Sequence, residues 1–323
     1  MQSGQNRSWT SSAGGLRPAT HRVESRSVPE QAYLDVIETN RERDPLAALP
    51  PSTLADIELQ ADCTPAEVGA VYEQWGCCVV RGLLADCAPA ILEDAEAMAA
   101  GVRAAGYESI NNAYVPEGGQ TGRDKQIMLF CPSYTLAASH FQAAIDPRML
   151  DLLEAMIGPS VELFGQGMCM YKEPGGGMEK ALHQDAPYFY HRDHTVVTGF
   201  IHLLETNNDN GALHVVPGSF KLGLIEHVDT PSHLALPASE FPLECAMPIY
   251  GRPGDVVLFN YLTVHGSGLN YSDKPRPALC TQYRSGADEQ VWRFASLVEH
   301  LGIAVSDEVR NQRGALARGR RII

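Results

Sequence analysis

From about residue 161 onward the chain is cut into short β-prone runs, at about 161–171, 196–204, 212–216, 246–250, 255–260 and 278–284, separated by clusters of Gly, Pro, Asn and Asp. That texture is the pattern of a β-sandwich or barrel, and it lacks the strand-helix alternation of a parallel sheet. The first half reads differently. Thr64-Pro65-Ala66-Glu67 supplies an N-cap Thr, a Pro at the first helical position and an acid three residues after the cap. A helix is therefore expected from there to Trp75, stopping at Gly76. Further helices are expected from about Val28-Pro29-Glu30 to Arg43, from Ala88 to Ala105 and from Pro147 to Ile157, with Cys77 to Arg81 as a short buried strand. No Gly/Ser or Pro linker separates the two halves, so one domain over 29–305 is expected, its helices buttressing a β core. Residues 1–28 read as a disordered tail and 306–323 as a basic C-terminal tail.

Charge narrows the partners. The chain carries 39 acidic and 25 basic side chains, a formal net charge of −14, so a field that attracts phosphate backbones is not expected and nucleic acid is excluded as a natural partner. Eight basic residues fall in the two acid-free ends, 1–23 and 310–323, which leaves about −22 on the body between them. No run approaches the roughly 18 apolar residues of a membrane helix. The eight cysteines show no C-x-x-C spacing, and several sit in apolar runs such as Cys77 and Cys78, where a thiol packs as a small hydrophobe. A reducing cytoplasm is the expected location.

The chemistry-bearing segment is His183-Gln184-Asp185. On a strand, residues i and i+2 share a face, so His183 and Asp185 can present an imidazole and a carboxylate side by side while Gln184 points away. His265 follows 82 residues after His183, beyond the apolar run Val256 to Phe259. Two His and one carboxylate on one side of a metal leave about three coordination positions open, the arrangement of non-haem Fe(II) oxygenases, in which a co-substrate and dioxygen reach the metal. Arg276 lies eleven residues past His265, beyond a turn at 270–275. An antiparallel return would bring its guanidinium beside Ser267, giving a bidentate anchor and a hydroxyl for a carboxylate end. A second H-x-D, His191-Arg192-Asp193, falls in a polar stretch that lacks a strand to direct its side chains. His202 and His214 read as core or lining residues, and His227 and His233 as loop residues.

The stretch HQDAPYF, followed by VVTGFIHLLETNNDNGALHVVPGSFKLG and then GDVVLFNYLTVHGSGLNYSDKPRPAL, resembles the phytanoyl-CoA dioxygenase (PhyH) family of Fe(II)- and 2-oxoglutarate-dependent oxygenases, over about residues 62–284. The resemblance implies a mainly β protein with flanking helices, built on a double-stranded β-helix (a jelly-roll, cupin-like core). It also implies His183, Asp185 and His265 as iron ligands, with Arg276 and Ser267 holding the distal carboxylate of 2-oxoglutarate. The implied reaction consumes 2-oxoglutarate and dioxygen, releases succinate and carbon dioxide, and hydroxylates, desaturates or cyclises a small metabolite. Family halogenases replace the carboxylate ligand with a small residue; Asp185 stands here, which favours oxidation over halogenation. One departure is visible: the family often has His after PGS, where this chain has Phe220. Asn111, Asn112, Tyr188, Phe189 and Arg284 are candidate lining residues of a small-molecule pocket. From a different class, a cupin-like metal-binding isomerase or binding protein without redox turnover has no need of Arg276.

Overall fold

The computed structural model describes residues 46–106, 113–114, 126–177, 179–230, 233–292 and 313–320. The expected N-terminal tail, the helix ending near Arg43, and Asn111 and Asn112 lie outside them. The larger sheet runs in the order β1 (Glu58–Gln60), β2 (Cys77–Arg81), β13 (Val256–Asn260), β8 (Val197–His202), β15 (Arg276–Ser285), β5 (Val161–Lys172), β4 (Leu129–Phe130) and β3 (Ala113–Tyr114), with β17 (Ala315–Arg318) also on β5. The smaller sheet is β12 (Met247–Ile249), β9 (Leu213–Val215), β14 (His265–Ser267) and β6 (Lys180–His183). Two ribbons complete the set, β7 (Tyr190–His191) with β16 (Gln290–Trp292) and β10 (Val228–Asp229) with β11 (Leu234–Ala235).

The central strands are apolar on both faces because both faces are covered. Along β13, Val256 and Leu258 pack with Val68, Ile91, Met149 and Leu153 of the helices, while Val257 and Phe259 pack with Leu213, Val215 and Ile249 of the smaller sheet. Period-two alternation sorts one strand between two cores. Helices Pro65–Trp75 and Pro147–Ile157 start at the side-chain caps Thr64 and Asp146, and Ala88–Ala104 starts without one, with a Pro in its first turn. Thr64 and Glu67 close the reciprocal capping box, and Gly76 ends the first helix at φ 67°, where a Cβ would come within 2.2 Å of the Phe220 ring. Phe220, the departure after PGS, is thus a packing residue. No helix among the described residues is long and apolar enough to cross a membrane.

The C-terminal boundary expected at 305 is corrected. Ala315–Arg318 is a strand of the larger sheet, joined antiparallel to β5, and Arg318 pairs with Asp151 and Glu154 of the helix Pro147–Ile157. Arg313, paired with Glu289, likewise meets the acidic body. The main-chain N–H of Gly314 also donates to Glu162 Oε1 at 2.6 Å.

Glu162 is the centre of a buried polar knot. Arg284 donates Nε and Nη2 to Glu162 Oε1 at 2.9 and 2.6 Å and Nη1 to His191 Nε2 at 2.9 Å, while His191 Nδ1 contacts the Phe189 carbonyl at 2.6 Å. Burial pushes His191 down to about 4, so the imidazole is neutral and Nε2 can accept. Removing one partner of such a pair leaves a charge buried without compensation. Glu162→Gln is expected to lower stability by about 3–5 kcal/mol, read from urea unfolding. Because the folded-state pKa of His191 lies below its unfolded value, the unfolded chain takes the proton first as acid is added. Its contribution to stability is complete above pH ~6.5 and falls as the pH drops toward 4, a loss that His191→Gln should reduce in the same assay.

Candidate metal centre and anion chamber

β6 ends at His183, and the chain then enters a one-turn segment at Ala186–Tyr188 with Asp185 as its cap. The strand spacing expected to align His183 with Asp185 is therefore not what aims the carboxylate. Asp185 and Ala186 both donate their N–H groups to the Tyr261 carbonyl, and Thr198 Oγ1 on β8 donates to Asp185 Oδ2 at 3.1 Å. Gln184 does point away, with Nε2 on the carbonyls of Gly223 and Leu262 and Oε1 on the Ile225 N–H.

His265 opens β14 directly opposite His183. The two imidazole centroids are 4.2 Å apart, and Nε2 of His183 and of His265 lie 3.8 and 3.7 Å from Asp185 Oδ1. Bonds of about 2.1 Å to a first-row metal can span up to about 4.2 Å between two ligand atoms, so each imidazole can share an ion with Asp185, and all three ligand atoms lie within 4.8 Å of one another. Both rings are set for it. His183 Nδ1 sits 2.9 Å from the Ala181 carbonyl and His265 Nδ1 2.9 Å from the Thr263 carbonyl, which places each proton on Nδ1 and leaves each Nε2 lone pair facing the carboxylate. Burial, with the charges of His265 and His233 adding to it, holds His183 well below its ordinary pKa, in the neutral form a metal requires. Among the described residues no other three His, Cys, Asp or Glu side chains gather this way. The rival His191 is held by Phe189 and Arg284, and the Asp193 N–H is bound to Asp288.

Two further basic groups flank this centre. A bulge in the β6–β14 ladder pairs Lys180 with Ser267 while His183 pairs with His265, so Lys180 shares a face with a residue three positions away. Burial draws Lys180 down to about 8, with the Asp185 charge opposing. His233 lies edge-on to His183, ring centroids 5.0 Å apart.

Arg276 and Ser267 are not neighbours on a ladder as expected, because β14 and β15 belong to different sheets. Lys172 connects them. It stands opposite Arg276 in the β5–β15 register and donates Nζ to the carbonyls of Ser267 and Gly268. Arg276 is 2% exposed and lies over the Phe200 ring, its carbon 5.8 Å from the centroid. Nη2 donates to the Gly211 carbonyl at 2.6 Å, whereas Nε and Nη1 have no partner. Burial pulls its pKa down to about 10, so the guanidinium remains charged. A buried cation with two open donors costs several kcal/mol. An anion that accepts from these donors lowers that cost.

The proposed lining residues part company. Tyr188 and Phe189 are half-buried; the Tyr188 hydroxyl accepts from the Leu234 N–H, and Phe189 stacks on Tyr261 and meets Phe164 edge-on. Arg284 is fully buried in the Glu162 pair, a correction that follows from its register opposite Glu162 on β5. Thr198 and Lys172 escaped sequence reading, since only the strand order brings them to the centre.

Two facing sheets carry between them a His-Asp-His cluster able to hold a metal ion and the buried cation Arg276, the arrangement of a jelly roll. The model of the family described as phytanoyl-CoA dioxygenase (PhyH) matches residues 72–278, and the chain belongs to that family. A rice protein named phytanoyl-CoA dioxygenase 1 is 32% identical over 118 residues, covering 35% of this chain and 42% of the relative. A Stutzerimonas stutzeri protein named probable alpha-ketoglutarate-dependent hypophosphite dioxygenase is 31% identical over 144 residues, covering 42% and 49%. The chain thus spans less than half the length of these curated relatives. Among solved structures, EctD from S. alaskensis, with 2-oxoglutarate and 5-hydroxyectoine, aligns with TM-score 0.59 at 18% identity, covering 85% of this chain and 90% of that one. The alpha-ketoglutarate-dependent epimerase SnoN from nogalamycin biosynthesis aligns with TM-score 0.56 at 22% identity, covering 80% and 94%. These likenesses establish the double-stranded β-helix fold.

If one ion binds this cluster, Asp185→Ala should weaken Fe(II) or Mn(II) affinity by about 100-fold or more, and Thr198→Val by about 10-fold. Equilibrium dialysis against each metal measures both.

Proposed function

We propose that this protein is an Fe(II)- and 2-oxoglutarate-dependent dioxygenase that hydroxylates an unactivated C–H bond of a small metabolite. The observation that carries the reading is the buried Arg276 guanidinium, two of its donors open inside the same barrel as the His-Asp-His cluster. A metal site without a dicarboxylate co-substrate has no use for that charge, which argues against a cupin-like isomerase or binding protein.

In this reading His183, Asp185 and His265 hold the iron, and Arg276 with Ser267 takes the distal carboxylate of 2-oxoglutarate. With the metal, 2-oxoglutarate and dioxygen bound, oxidative decarboxylation to succinate and carbon dioxide supplies the oxidant for the C–H bond. The chain's own part is orientation and exclusion of water. Thr198 holds Asp185 Oδ2 so that Oδ1 faces the imidazoles, and the Ala181 and Thr263 carbonyls hold both rings in one tautomer. Phe200, Ala278, Cys280, Met168 and Met170 form an apolar wall that strengthens the charge of Arg276 toward an anion. Tyr188 and Phe189 follow Asp185 closely in the chain and are only half-buried, which supports their reading as lining residues for the substrate. The acidic body suits a small substrate better than a CoA thioester, and the unpaired thiols of all eight cysteines suit a cytoplasmic protein.

The test is release of succinate and labelled carbon dioxide from 1-labelled 2-oxoglutarate with Fe(II), ascorbate and air. Wild-type protein should turn over slowly without substrate, Asp185→Ala should not, and Arg276→Ala should raise the 2-oxoglutarate KM by about 100-fold. Undiminished release from Asp185→Ala would remove that residue from the metal and sink the mechanism.

A further inference from the structure

His202 is the last residue of β8, opposite Ala278 of β15, two positions along from Arg276. Its ring meets Phe200 edge-on at 5.0 Å, and Arg276 lies over that same Phe200, so all three occupy the inner face of the larger sheet. His202 is 1% exposed. Its outer nitrogen is tied: the Gly251 N–H donates to Thr206 Oγ1 at 2.8 Å, and that hydroxyl lies 3.2 Å from His202 Nδ1. The Thr206 hydroxyl can turn its proton to Nδ1, and in that arrangement the imidazole proton is on Nε2. Gly251 makes the approach possible, since a Cβ there would fall 2.3 Å from the imidazole Cγ. Nε2, on the far side of the ring from Thr206, is buried and has no partner, like Nε and Nη1 of Arg276. Burial, with the Arg276 charge adding to it, drives His202 down to about 3, so it stays neutral.

We propose that His202 is a co-substrate-binding residue of this chain, its Nε2–H donating to the same distal carboxylate that Arg276 neutralises. The inference rests on the 2-oxoglutarate reading and deepens it. A carboxylate has about four lone-pair sites, enough to accept from one open Arg276 donor and from His202 Nε2 together. The neutral imidazole adds a directed hydrogen bond without a second positive charge beside Arg276.

The experiment is calorimetric titration of 2-oxoglutarate, and of 2-oxobutyrate as a mimic lacking the distal carboxylate, into Zn(II)-loaded protein. A hydrogen bond to a charged group predicts that His202→Leu weakens 2-oxoglutarate binding by about 10- to 100-fold and leaves 2-oxobutyrate unchanged. His202→Gln, which restores an N–H donor at similar reach, should recover most of the loss. Should the Leu variant not fold, as checked by circular dichroism, the Nε2–H resonance of ¹⁵N-histidine-labelled wild type decides: it should move on addition of 2-oxoglutarate and not of 2-oxobutyrate. Equal 2-oxoglutarate affinity in wild type and His202→Leu, or an unmoved resonance, overturns the role of His202. Wild-type protein that binds no 2-oxoglutarate at all overturns the parent reading instead.

Discussion

A single uncompensated charge organises this barrel. Arg276 sits inside the larger sheet with two guanidinium donors open, in a place where the free energy of a bare cation is several kcal/mol unfavourable. The surroundings soften that cost without removing it: the Gly211 carbonyl takes one donor, the Phe200 face lies beneath, and Lys172 opposite it spends its amine on the carbonyls of Ser267 and Gly268. A fold that holds a charge in this condition is prepared for an anion. In the proposed reading, the anion would meet preorganised donors that need no reorientation.

The metal centre obeys a different economy, one of hydrogen-bonded direction. Each histidine is aimed by the carbonyl two residues before it, and Asp185 is aimed by Thr198 from the opposite sheet. The cluster belongs to the smaller sheet and the chamber to the larger, so their relation depends on how the sheets pack. Val257, Phe259, Phe200 and Cys280 against Leu213, Val215 and Ile249 set that packing, and with it the distance a bound acid must span.

Much of this was legible in the sequence, for identifiable reasons. The capping box at Thr64, the stop at Gly76 and the strands around 161–171, 196–204 and 255–260 are local signals, and each element formed where it was read. The gathering of His183, Asp185 and His265 was legible because few residue types offer metal-ligand atoms and these three stood in a restrictive spacing. The sequence could not show that Asp185 leaves the strand, that Arg276 and Ser267 lie in different sheets, or that Arg284 faces Glu162. The first two depend on where a strand ends and which sheet it joins, and the third on ladder register, which a bulge between Cys280 and Gln282 shifts. Thr198 and Lys172 were silent for a like reason, and His202 read only as a core or lining residue: each is an ordinary strand residue until the strand order gives it neighbours.

The most direct test of the central claim is anaerobic visible absorption of Fe(II)-loaded protein titrated with 2-oxoglutarate. A weak metal-to-ligand charge-transfer band that saturates with one equivalent of 2-oxoglutarate, and that needs far higher co-substrate in Arg276→Leu, is the result this account predicts. Iron binding with no such band, or a band indifferent to Arg276, would contradict it and leave a metal-bearing jelly roll whose buried charge serves another anion.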